Sequence, residues 1–100
     1  MDSVSDTPQV IDDQADSRFE LAADGQLAEL IYRRNGDRLV LVHTSVPPAM
    51  EGRGAGGQLV RAAVEKAAAD GLTIVPLCPF ADGWLKRHPA VAALAKVDFG

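Results

Sequence analysis

The 100-residue sequence predicts one compact domain of the α/β (α+β) class. Its expected order is an antiparallel three-stranded meander, a glycine-rich loop, an amphipathic helix crossing to a parallel strand, and short C-terminal helices. Three observations carry this reading. The dipeptides Asp24-Gly25 and Asn35-Gly36 separate apolar runs early in the chain. Glycines at 52, 54, 56 and 57 crowd one short loop. Leu59, Val60, Ala63, Val64 and Ala67 then recur at helical spacing.

Strands are expected over Ser17 to Ala23, Gln26 to Arg34 and Asp37 to Val46. Asp-Gly and Asn-Gly supply the positive φ that tight hairpins require, so consecutive strands pair antiparallel. In the second run Ala28, Leu30 and Tyr32 alternate with Leu27, Glu29, Ile31 and Arg33, which gives one better-buried face. Leu39 to Val42 is apolar on both faces and reads as a central strand, ended by Pro47-Pro48. The helix runs from Gln58 to Asp70 and stops at Gly71. Leu72 to Leu77 follows as a buried strand, and a right-handed crossover makes it parallel to the third. Phe80 to Arg87 predicts a short helix with Phe80, Trp84 and Leu85 turned inward, ending before His88-Pro89. Val91, Leu94 and Val97 suggest a final turn or two.

Composition bounds the function. With 47% hydrophobic and 24% charged residues, the chain has the profile of a single soluble domain. Five Asp and no Lys or Arg fall within residues 1–16, so these are expected to form a disordered acidic tail, with the domain proper spanning 17–100. A formal charge of −4 argues against nucleic acid as a partner. The single cysteine, Cys78, excludes a disulfide framework and a multi-cysteine zinc site, and fits a cytoplasmic compartment. No run approaches the ~20 apolar residues of a membrane span, so no membrane association is expected. A monomer or weak homodimer is expected for a domain with exposed strand edges.

The glycine loop is the most informative segment. It follows a strand and opens a helix, whose N-terminus carries unpaired N–H groups and partial positive charge. Glycine lets a bulky anion approach that backbone, so the loop fits phosphate. Gly52, Gly54 and Gly57 satisfy G-x-G-x-x-G, but Cys78-Pro79 stands where a dinucleotide fold needs an acid, and Gln58 where a nucleotide-triphosphate loop needs lysine.

Taken together, several ordered motifs resemble the small single-domain members of the GNAT superfamily of acetyl-CoA-dependent N-acetyltransferases. Arg53-Gly54-Ala55-Gly56-Gly57 before an amphipathic helix is similar to the family's pyrophosphate loop, Gln/Arg-x-x-Gly-x-Gly/Ala. His43-Thr44-x-Val46-Pro47, Pro76-x-Cys78-Pro79-Phe80 and His88-Pro89 extend the likeness across Arg18 to Pro89. Glu51 stands where many members have Gln or Arg, and the first helices and last strands of larger members are missing. The resemblance implies a compact GNAT-like fold and transfer of an acetyl group from acetyl-CoA to a primary amine. A non-catalytic CoA-binding or sensing module, acting through a protein partner, is the alternative.

The resemblance also implies where each group acts. The pyrophosphate would lie on the amides of Gly52, Arg53, Gly54, Ala55, Gly56 and Gly57, and the pantetheine arm along Thr44, Ser45 and Val46. This needs the third strand to part from the Thr73 to Leu77 strand, as Pro47 and Pro76 favour. Cys78 is a candidate nucleophile or general acid or base, against packing as a small buried apolar group. His43 is a candidate base, against a structural histidine. His88 either reaches the adenosine or caps carbonyls at a helix end, and Arg53 either pairs with a phosphate or is solvated. Trp84 and Phe80 are assigned to the core, against a ring edge lining the acceptor cleft.

Overall fold

A computed structural model describes residues 9–100; the first eight residues of the expected tail lie outside the described residues. The order is β1 (Val10–Asp13), β2 (Arg18–Ala23), β3 (Gln26–Asn35), β4 (Arg38–Ser45), α1 (Ala55–Asp70), β5 (Thr73–Pro76), α2 (Pro79–Arg87), α3 (Pro89–Ala92) and β6 (Lys96–Val97), with a 3-10 turn at Pro48–Met50. The strands form one sheet in sequential order. β1 to β4 pair antiparallel, and β5 and β6 join parallel.

The meander follows from its turns. Asp24 and Gly25 both adopt positive φ (52° and 76°), and the pair Ala23↔Gln26 closes the hairpin between β2 and β3. Between β3 and β4, Gly36 alone adopts positive φ in the loop closed by Asn35↔Arg38. The strand after α1 is parallel to β4, as the crossover argument requires.

Residues 10–13 correct the expected disordered tail. Val10 pairs with Leu21 and Asp13 with Arg18, so the sheet begins seven residues before the anticipated domain start at 17. Asp12 explains why an acidic segment docks. One oxygen accepts from the Tyr32 hydroxyl at 2.6 Å and the other from Lys66 Nζ at 2.8 Å, tying β1 to both β3 and α1. β6 is a second addition. Lys96 and Val97 pair beside Thr73 and Ile74 where only a helical turn was expected.

The core lies on one side of the sheet. Phe19, Leu21, Ala28, Leu30, Tyr32, Leu39, Leu41 and Ile74 share a face and are buried, and Leu59, Val60, Ala63, Val64 and Ala67 of α1 meet them with no exposure. α1 also touches α2 and α3, so the helices crowd this side. On the other face Ile11, Leu27 and Ile31 remain exposed.

The register between β3 and β4 slips once. Tyr32 pairs with Leu41, Ile31 with His43 and Leu30 with Thr44, leaving Val42 as an extra, bulged residue. Strict alternation would put His43 on the face of Leu39 and Leu41. The bulge instead gives that face to Thr44 and turns His43 and Ser45 to the open side.

Candidate functional site

The site is built where β4 and β5 part. Their pairing ends at Leu41↔Pro76, as the two prolines suggested, because Pro76 has no N–H to continue the ladder. The amides of Leu77 and Cys78 both turn to the Leu41 carbonyl, each at 3.0 Å, while β4 continues to Ser45 along β3 alone. Past this fork opens a cavity of about 440 Å³, lined by Thr44, Val46, the loop from Met50 to Gly57 except Arg53, and the rings of Phe80 and Trp84.

One end of the cavity is the start of α1. Gly54 caps this helix in the left-handed conformation (φ 77°) and offers no side chain to its amides. The first bond along the helix runs from the Gln58 N–H to the Gly54 carbonyl at 3.0 Å, so the amides of Gly54, Ala55, Gly56 and Gly57 precede the intrahelical ladder. With the helix dipole behind them, they give this end positive character in a wall whose one charged side chain is Glu51.

The four glycines divide into two kinds. Gly52 and Gly54 hold positive φ (82° and 77°) with open space where a Cβ would stand. Gly56 and Gly57 are helical, but α2 presses on them. A Cβ on Gly56 would lie 2.6 Å from the Phe80 ring tip, and one on Gly57 would lie 2.5 Å from Trp84 Nε1. The first pair shapes the loop, and the second lets two helices approach.

Comparison with known proteins bears on this arrangement. A family profile described as GCN5-related N-acetyltransferase matches residues 18–94. The chain belongs to this family. The solution structure of a GCN5-like candidate N-acetyltransferase from Staphylococcus aureus superposes with a TM-score of 0.69 at 26% identity, covering 91% of each chain. The compact mixed α/β architecture is therefore that of the GCN5-related N-acetyltransferases.

Within this GCN5-related frame the residues singled out from sequence divide. Thr44, Val46, Gly52, Gly54, Ala55, Gly56 and Gly57 line the cavity. His43 and Ser45 do not, because the Val42 bulge turns them to the open face. The Arg53 side chain reaches away to Asp24 at 3.0 Å, in an exposed pair of small energetic weight. His88 does not line the cavity. Its Nδ1 lies 2.8 Å from the Trp84 carbonyl, as expected of a group capping the end of α2.

Cys78 sits one layer behind the wall. It is buried, and its Sγ lies 3.2 Å from Thr44 Oγ1. Burial pushes its thiol up, but the Thr44 hydroxyl and the backbone at Phe80, Ala81 and Thr44 outweigh this and lower its pKa below the ordinary value. None of the α2 amides closes a full capping bond to the sulfur. Met50 and Glu51 are lining residues that the sequence reading did not assign to the site. The proline pair preceding them was the available signal, since it starts the 3-10 turn that buries Met50. Phe80 and Trp84, weighed between the core and the edge of a cleft, both line the cavity.

Proposed function

We propose that this GCN5-related protein transfers an acetyl group from acetyl-CoA to a primary amine, with the cavity as the coenzyme seat. The single observation that carries this reading is that Gly54 to Gly57, whose amides no side chain caps, line a cavity that runs to the fork between β4 and β5. A diphosphate suits that end, and the free edge of β4 from Thr44 to Val46 suits an extended amide-bearing arm that pairs like a strand.

Acetyl-CoA supplies an activated thioester. The chain must orient it, stabilise the oxyanion and protonate the departing sulfur. A backbone N–H near Val46 is the proposed oxyanion donor. Thr44 hands its hydroxyl proton to the leaving thiolate, and Cys78 replaces that proton across their 3.2 Å contact. Cys78 is left as thiolate and regains a proton from the medium. The acceptor enters as an ammonium and releases one proton to water before attack and a second after it. The overall yield is amide, CoA thiol and one net proton. In this reading Cys78 acts through Thr44 rather than as a nucleophile, because the threonine stands between it and the cavity. His43 has no step.

Calorimetry against CoA, with Gly54→Val as control, tests the seat. Binding by the wild type and not by the variant supports it, and no heat from either removes it. Incubation with acetyl-CoA and an amine-rich metabolite extract, followed by mass spectrometry, then identifies the acceptor. CoA binding without turnover on any amine would favour a sensing module.

A further inference from the structure

We propose that His88 is a positioning residue that fixes the Trp84 indole against the start of α1 and so sets one wall of the cavity. The inference rests on the coenzyme reading only for the ligand-binding part of its test. The His88 ring stacks on Trp84 with centroids 3.9 Å apart and planes 13° apart. Its Nδ1 lies 2.8 Å from the Trp84 carbonyl. A carbonyl only accepts, so Nδ1 carries the proton and the ring orientation is fixed by two contacts with the same residue.

His88 is itself held at the joint between α2 and α3. Its amide donates to the Leu85 carbonyl at 3.2 Å, and its carbonyl accepts from Val91 and Ala92 at 3.1 and 3.0 Å. Pro89 follows at once and limits the backbone further. The indole also bears on α1, where its Nε1 lies 2.5 Å from the place a Gly57 Cβ would take. Trp84 thus touches both the helix that offers the amides and an imidazole anchored outside the cavity. The imidazole covers one face of a partly buried indole that packs against the core.

Trp84 is the only tryptophan, so its emission reads this position without any ligand. Acrylamide quenching of the ligand-free protein is compared for wild type, His88→Ala, His88→Phe, which keeps a ring, and His88→Gln, which keeps a donor but no ring. Steeper quenching is expected for Ala and Gln, with Phe close to wild type. In calorimetric titration with acetyl-CoA, Kd should rise about two- to tenfold for Ala and Gln and stay near wild type for Phe, as for loss of one aromatic stack. Wild-type quenching in both Ala and Gln overturns the proposal, as does altered quenching with unchanged Kd. Should His88→Ala not fold, the Phe and Gln pair decides. Should the wild type not bind acetyl-CoA, the coenzyme reading fails, while quenching still decides whether His88 holds the indole.

Discussion

Thr44 and Cys78 meet across the fork where β4 and β5 part, with Oγ1 and Sγ 3.2 Å apart. The contact joins the one hydroxyl in the cavity wall to the one thiol in the chain.

Thr44→Val should therefore act on Cys78. Losing the hydroxyl removes the first of the influences that lower the thiol pKa and leaves burial, which raises it. Thiolate absorbance near 240 nm, clean in a single-cysteine chain, should titrate at higher pH in the variant. The sign for stability follows. A folded-state pKa below the unfolded value of 9.0 means that the unfolded chain holds more protons between the two, so stability rises with pH across that window. Denaturant melts should show this rise in wild type and a flatter profile in Thr44→Val.

Gly56→Ala and Gly57→Ala should differ despite similar crowding. The Cβ at 56 meets the tip of Phe80, a partly exposed ring that can swing away. The Cβ at 57 meets an indole stacked on His88. Gly57→Ala should cost about 1–3 kcal/mol, the range for overpacking, and Gly56→Ala less. Adding Trp84→Leu should recover part of the loss at 57, and thermal melts in a double-mutant cycle measure the coupling.

Glu51→Gln should tighten CoA binding by a few-fold. The carboxylate is the one charged side chain in a wall whose far end is a helix N-terminus, and it opposes an incoming anion. An exposed charge is screened, so the gain should shrink between low salt and about 0.5 M, as calorimetry at the two ionic strengths would read.

Asp12→Asn should loosen β1. It weakens one acceptor shared by Tyr32 and Lys66, and a loss of about 1–3 kcal/mol is expected in denaturant melts. Burial, and then the bond to Asp12, raise the Tyr32 pKa. A raised phenol holds its proton in the folded state after the unfolded chain has lost it, so stability should fall as pH climbs past about 10. Absorbance at 295 nm follows the chain's single tyrosine, and its alkaline transition should come earlier in Asp12→Asn.

These sites explain what the sequence did and did not disclose. The turns at Asp24-Gly25 and Asn35-Gly36, the α1 stripe and the glycine loop are local signals, and the meander and crossover follow from them. β1 is not local. Its acidic composition argues for disorder until Asp12 is seen against Lys66, 54 residues away. The Val42 bulge was hidden because Leu39 to Val42 is apolar on both faces, which erases the alternation that would mark a slip. The His43 ring, weighed as a base, therefore points to the face away from the cavity, while the assignment of Thr44 to Val46 rests on their edge amides and not on the facing of their side chains. The packing duty of Gly56 and Gly57 depends on α2, more than twenty residues later, and could not be separated from the conformational duty of Gly52 and Gly54.

Were Val42 paired rather than bulged, β4 would alternate strictly through to Ser45. The reacting chamber would then look onto an imidazole, and the thiol at its rear would lose its hydroxyl neighbour. One residue of slack in an otherwise regular ribbon thus selects which chemistry points indoors.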